Sequence, residues 1–337
     1  MKNPAVRKPT QFDVARKAGV SQTTVSRILN NSSMVSIPEE TRQRVLLAME
    51  ELSYIPDLTA RSLRTSKTYT IAAIIPDITN PYYPTFVRGI QDVAEENAYD
   101  LVIYNTDGDE NKERHSLKSV AQNRVDGLIV VPFHISPEEL LQINIPTIQL
   151  TQKPLEPPNL DSIYIDNVAA AFTIVQHLID RGYMRIGMIA GEEDTPPRKN
   201  RILGYQNAIA LHHIPLDEVL VRGGDFTEAG GYVAMQELLK VNPRVDAVFA
   251  ANDLMAMGAL IAIREANLQV PADIAVAGMD DIPAARLVCP PLTTITQYQQ
   301  NIGRKAAEML FERLTDGSVE DLRSVEMPFS LIVREST

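Results

Sequence analysis

Two groups of residues in this 337-residue chain have types and spacing suited to recognition rather than bond breaking. The first lies near the N-terminus. Gln22, Thr23, Ser26 and Arg27 share one face of a stretch whose other face is Val25, Ile28 and Leu29, at i, i+3 and i+4. An amide, hydroxyls and a guanidinium on a helix surface hydrogen-bond base edges and phosphates. Gln22 and Thr23 stand at the helix end that a recognition helix turns toward the bases. A surface hairpin with a polar exterior would carry the same residue types. The second group follows apolar runs along the rest of the chain: Asp77 and Asn80, Asn105 and Asp107, Asp166 and Asn167, Asn252 and Asp253, Asp280 and Asp281. In open α/β sheets, ligands bind beyond the carboxyl ends of strands. Carboxylates and amides gathered there, with Arg201 as a cation and Tyr82, Tyr83 and Phe226 to stack on a ring, suit a hydroxyl-rich or heterocyclic small molecule. Taken singly, each Asn or Asp is better explained as a helix cap or turn residue, and only the set at one sheet edge points to a ligand.

Catalytic patterns are missing from the sequence. No GxGxxG or P-loop follows a strand, and none of His115, His134, His177, His212 and His213 has metal-ligand spacing. Adjacent carboxylates such as Asp280 and Asp281 point apart after a strand, so a cap plus a ligand contact explains them better than acid–base work. The reading is therefore no enzyme, no metal and no cofactor. Cys289, the one cysteine, reads as a small packed residue and excludes an internal disulfide.

The elements that must position these groups are legible from local pattern. Thr10 can cap a helix opening at Gln11, with Asp13 in its first turn and Val14, Ala15 and Ala18 on its apolar face. Gly19 offers the positive φ of a turn, and Ser21 caps a second helix to about Leu29. Ser36 and Glu39 suggest a capping box for a third, with Pro38 in its first turn and Val45, Met49 and Leu52 along one side. Residues 57–64 allow only about two turns of helix, too short to be stable alone. Beyond Thr70 apolar runs alternate with amphipathic stretches. Strands are expected at Ile71–Ile75, Leu101–Tyr104, Leu128–Val131, Thr147–Leu150, Ile163–Ile165, Ile186–Ala190, Ala247–Ala250 and Ile274–Ala277. Helices are expected at Pro84–Glu96, Asn167–Asp180, Asn200–His212, Thr227–Leu239 and Leu254–Ala266. Alternation predicts parallel sheets with crossovers, and eight strands divide better into two doubly wound subdomains than into one sheet.

Charge divides the chain the same way. Residues 1–67 carry eleven Lys/Arg against six Asp/Glu, while the whole chain has a net charge of −11. A basic head on an acidic body suits a polyanion at the head alone. No apolar run is long enough to span a membrane, and the basic N-terminus lacks the apolar stretch of a secretory signal. A cytoplasmic location is the expectation.

Phe12-Asp13-Val14-Ala15-Arg16-Lys17-Ala18-Gly19-Val20-Ser21 and Thr24-Val25-Ser26-Arg27-Ile28-Leu29-Asn30 resemble the head of the LacI/GalR family of bacterial regulators, and Ala60-Arg61-Ser62-Leu63-Arg64 resembles that family's hinge helix. In the body, Pro76 to Tyr83 resembles its first effector loop. Arg201-Ile202-Leu203-Gly204-Tyr205, Ala251 to Ala259, Gly278 to Asp281, and Pro290 to Ile295 with Gln297 beyond resemble its later motifs. The resemblance implies an N-terminal all-α helix-turn-helix domain on an α/β, periplasmic-binding-protein-like body of two doubly wound parallel-sheet subdomains. It implies residues 1–56 as the DNA-binding domain, 57–68 as hinge helix and linker, and 69–337 as the effector and dimerisation domain. Within the last, the N-subdomain takes about 69–165 and 297–327, and the C-subdomain about 166–296 and 328–337. The function implied is a repressor that binds pseudo-palindromic operator DNA as a homodimer or higher oligomer. Thr10, Gln11, Ser21, Gln22, Thr23, Ser26, Arg27, Asn30 and Ala60 would lie at the DNA, with Leu63 wedged in the minor groove. An effector between the subdomains would meet Asp77, Asn80, Tyr82, Tyr83, Asp166, Arg201, Phe226, Asn252, Asp280 and Gln297.

Two departures stand out. Ile37-Pro38 looks like an insertion before the third helix. Gln149-Leu150-Thr151-Gln152 stands where the family often has an acidic-then-basic pair. The Glu192-Glu193-Asp194-Thr195-Pro196-Pro197 loop is also acidic where a phosphate pocket should be basic, which disfavours a sugar phosphate and favours a neutral sugar or polyol. A periplasmic-type solute-binding protein would use the same cleft, but would carry a signal peptide in place of the reader head.

Overall fold

The computed structural model describes residues 9–29, 37–55, 67–152, 159–315 and 321–337. Asn30, Ala60 and Leu63, expected at the DNA, lie outside them. The chain forms two compact units, residues 1–68 and 69–337.

The first unit contains α1 (Gln11–Ala18), α2 (Gln22–Leu29) and α3 (Glu39–Glu51). Val14, Ala15, Ala18, Val25, Ile28, Val45 and Ala48 close a small core between them. Thr10 and Asp13 form a capping box at α1, and Gly19 ends it at φ 65°, the left-handed conformation expected of a glycine there. The capping box expected at α3 is corrected: Glu39 is the first helical residue, and Pro38 takes the cap position with no side-chain hydrogen bond. Glu39 therefore lacks the three-residue offset a capping box needs.

The second unit is two α/β lobes. The first holds β1 (Thr70–Ile75), β2 (Asp100–Asn105), β3 (Gly127–Val130), β4 (Thr147–Thr151) and β5 (Asp161–Tyr164), with α4 (Tyr82–Glu96), α5 (Glu110–Asn123) and α6 (Pro137–Gln142) between them. The second holds α7 (Asn167–Asp180), β6 (Ile186–Ala190), α8 (Pro196–Leu211), β7 (Val221–Gly223), α9 (Glu228–Leu238), β8 (Ala247–Ala250), α10 (Asp253–Glu265) and β9 (Ala275–Ala277). The chain then runs through β10 (Thr294–Thr296) into α11 (Gln299–Thr315) and β11 (Ser324–Glu326) of the first lobe, and returns through β12 (Ser330–Ile332). The first sheet has the order β11-β5-β4-β3-β1-β2 and the second β7-β6-β8-β9. Every pair within both is parallel. β10 and β12, two of the three crossing segments, pair antiparallel.

Apolar runs buried on both faces make the central strands of each sheet, as parallel sheets require, while the edge strand β2 is largely exposed. Ile71 to Ile75 is wholly buried, and Val248 and Phe249 hold the equivalent place in the second lobe. In the first lobe α4 and α11 meet backbone to backbone. A Cβ on Gly303 would lie 1.9 Å from Phe86 O, and one on Gly89 would lie 2.0 Å from Gln300 O. Glycine is thus required on both sides of that contact.

All eight expected strands form, with ends shifted by a residue or two. Four three-residue strands, β7, β10, β11 and β12, were too short to show a period, and α5, α6 and α11 also escaped the pattern. α8 begins at Pro196 rather than Asn200, with Pro at the position where its missing N–H costs nothing. Cys289 is exposed, not packed. It lies in the loop after a short 3-10 turn, where Ala285 supplies the buried side chain.

Candidate ligand cleft and nucleic-acid interface

The carboxyl ends of both sheets face one cleft of about 450 Å3. Asp77 and Asn80 come from the β1–α4 turn, Tyr82 and Tyr83 from the start of α4, Gln152 from just after β4, and Asn167 from the start of α7. The second lobe adds Arg201, Phe226, Asn252 and Asp280, and Gln297 follows the crossing strand β10.

Arg201 is the one Lys or Arg among the described lining residues, beside the carboxylates of Asp77, Asp107, Glu192, Asp225 and Asp280. It is buried. Its Nε donates to Asn167 Oδ1 at 2.8 Å, its Nη1 to the Ala251 carbonyl, and its Nη2 lies 3.9 Å from Asp280 Oδ1. Asp280 is buried at φ 123°. Its Oδ1 accepts from Gln297 Nε2 at 2.6 Å and its carbonyl from Gln299 Nε2. Burial pushes the Asp280 carboxyl well above the usual range, Arg201 opposes that rise and Asp253 adds to it. Asp253 lies behind the cleft wall and accepts from Thr294 Oγ1 at 2.5 Å and Ile282 N at 2.9 Å. Burial raises it to about 7 against those two bonds.

The aromatic wall has its own constraints. The Tyr82 and Tyr83 rings meet edge to face at 5.1 Å. Both hydroxyls are raised, Tyr82 by burial and then Asp280, Tyr83 by burial and then Tyr82, so both remain donors at neutral pH. Phe226 adopts φ 63°, and its carbonyl accepts from Asn252 Nδ2 at 2.9 Å. Its ring lies over Gly191, where a Cβ would come within 1.9 Å of Cζ.

In the head, α2 buries Val25 and Ile28 and leaves Gln22, Thr23 and Arg27 exposed and Ser26 half-buried. Ser21 Oγ accepts from Thr24 N at 3.1 Å and so holds the start of α2. Gln11 Oε1 accepts from Gln22 Nε2 at 3.4 Å, which brings the start of α1 beside the start of α2. The Thr10 hydroxyl donates to Asp13 at 2.7 Å.

The comparisons with known proteins agree with both parts. Residues 11–57 match the model of bacterial regulatory proteins, lacI family, and residues 175–337 that of a periplasmic binding protein-like domain. The Ribose operon repressor of Escherichia coli (strain K12) is 38% identical over 318 residues, which span 93% of this chain and 96% of that one. This chain belongs to the LacI family. Its solved relatives include the lac repressor dimer bound to operator and the anti-inducer ONPF, with 28% identity, TM-score 0.87, and 98% and 99% of the two chains covered. A LacI family transcriptional regulator from Enterococcus faecium with bound ribose is 29% identical, with TM-score 0.72 and coverage of 80% of this chain and 98% of that one.

As a LacI-family member the chain is a DNA-binding transcriptional regulator, not an enzyme. Of the ten residues expected at the effector, the cleft brings nine together. Asp166 is not among its lining residues. The Asp166 carboxylate accepts from Ala169 N at 2.8 Å and caps α7, and its neighbour Asn167 lines the cleft. Sequence reasoning passed over Phe133, Asp225 and Thr227, which also line it, and singled out Gln152 only as part of the departure after β4. Asp225 follows β7, so the strand-end rule finds it once that strand is placed.

Proposed function

We propose that this regulator is a cytoplasmic repressor that binds a pseudo-palindromic operator as a homodimer or higher oligomer, and that a neutral, hydroxyl-rich sugar or polyol in the cleft controls it. One observation carries the ligand class: Arg201 is the only cation among the described lining residues, and five carboxylates surround the same space. An anionic ligand would meet that field without compensation. The ribose named for two relatives agrees with a neutral sugar.

Asp77, Asn80, Tyr82, Tyr83, Arg201, Phe226, Asn252, Asp280 and Gln297 are the proposed contacts, with Asp166 acting by holding the start of α7. On the DNA side Gln22, Thr23, Ser26 and Arg27 are the proposed readers. Thr10, Gln11 and Ser21 are proposed to set the ends of α1 and α2 against the DNA, and Asn30, Ala60 and Leu63 to add contacts outside the described residues. The proposed division is a reader at 1–56, a linker at 57–68 and a sensor at 69–337, whose lobes exchange chain near 166, 296 and 328.

The test is a thermal-shift series with D-ribose, cellobiose, sorbitol and D-ribose 5-phosphate. A ligand that binds only the folded chain raises its melting temperature by linkage. Stabilisation by a neutral member is the expected result. A larger shift with the phosphate would sink the proposed class.

A further inference from the structure

Gln152 ends the Gln149-Leu150-Thr151-Gln152 stretch, where the family resemblance leads one to expect a charge pair, and it makes a cross-lobe contact. Its Oε1 accepts from Asn200 Nδ2 at 2.8 Å and from Asn167 Nδ2 at 3.1 Å. Gln152 follows β4 of the first lobe, Asn200 is on α8 of the second, and Asn167 opens α7, the first helix after the chain crosses.

The polarity of this cluster is fixed from both ends. Arg201 has only donors, so Asn167 must turn Oδ1 toward Arg201 Nε. That leaves Asn167 Nδ2 to donate, and it donates to Ile165 O at 3.3 Å as well as to Gln152. Gln152 must then present its oxygen. Its own Nε2 donates to no group among the described residues and is left for whatever fills the cleft it lines.

We propose that Gln152 is a latch and positioning residue: its amide oxygen holds the two lobes together across the cleft and, through Asn167, fixes the Arg201 fork. An uncharged acceptor does this without adding a charge to a cleft already rich in carboxylates. The inference rests on the effector reading in one respect only, that the cleft it closes is the one a ligand fills.

The test needs no ligand to be decisive. Nitroxide labels at Lys118→Cys on α5 and Val233→Cys on α9, both exposed, report the lobe separation in the full-length protein by electron–electron double resonance, in a Cys289→Ser background. Gln152→Leu removes both cross-lobe bonds, and at ~1 kcal/mol net for each it should raise the ratio of open to closed molecules about tenfold or more. Gln152→Glu keeps an acceptor for both amides and should restore the parent distance distribution. Asn200→Leu should open the cleft as well, and the double variant with Gln152→Leu should add less than the sum, as coupled sites do. Thermal unfolding of each variant separates opening from misfolding. A Gln152→Leu distribution equal to the parent's would overturn the latch, as would equal opening by the Glu and Leu variants. D-ribose added to the parent should narrow the distribution. A parent that ignores D-ribose, cellobiose and sorbitol alike fails the effector reading, while the ligand-free comparison still decides the latch.

Discussion

Arg201 Nη2 and Asp280 Oδ1 stand 3.9 Å apart at the base of the cleft, and neither residue has appreciable access to solvent. The guanidinium is also held by Asn167 and Ala251 O, and the carboxylate by Gln297. Arg201 and Asp280 thus tie α7, α8, β8 and the β10 crossing segment to a single point.

Removing one member of this pair should cost more than removing both. Arg201→Met leaves a buried carboxylate without its cation, a loss on the order of 3 kcal/mol. Arg201→Met with Asp280→Asn should recover part of it. Urea unfolding midpoints of the two variants and the parent measure the difference, and equal loss in both would show that the pair is not coupled.

Asp253 gives a pH signature. Its carboxyl is raised by burial to about 7 from the ordinary 3.8, so between those values the folded chain keeps a proton that the unfolded chain has released. Its contribution to stability is full below the lower value and is lost as pH rises through the upper one. Asp253→Asn cannot titrate there. The parent's stability relative to this variant should therefore fall between about pH 4.5 and 7.5, read from urea midpoints at each pH. A constant difference across that range would contradict the assignment.

Gly191 marks a contact that a methyl group destroys. Gly191→Ala would place a Cβ 1.9 Å from Phe226 Cζ, and the ring must leave its seat. Affinity for whichever neutral sugar stabilises the parent should weaken by up to about tenfold, the loss expected when one stacking wall moves. Circular dichroism and the ligand-free melting temperature should change little, because Phe226 is only partly buried against the core.

At the head, Gln22→Ala should reduce preference for the operator over unrelated DNA by roughly 1–3 kcal/mol, the worth of one bidentate base contact. Fluorescence anisotropy on both DNAs measures it. An equal loss on unrelated DNA would make Gln22 a backbone contact instead.

Particular residues show how much of this was legible beforehand. Arg201 was found as the cation of a helix motif that resembles the family's, and Asn252 and Asp280 as polar residues just after buried strands. The same rule could not choose between Asp166 and Asn167. Neighbours in sequence diverge at a helix start, and one caps α7 while the other lines the cleft. Cys289 was misjudged because composition says nothing of which loop residue turns inward.

The sequence by itself determined what depends on near neighbours: the helix-turn-helix spacing of 10–29, the turn at Gly19, the buried strands and the alternation that makes both sheets parallel. Only the tertiary structure decided which distant segments meet. Ser324 pairs with Ser162 to complete the first sheet, and Gln152 reaches Asn200 from the opposite lobe. Side-chain period is written within one turn or strand. A cleft between lobes is built by a chain that crosses back and forth, and no local pattern records which polar ends those crossings bring face to face.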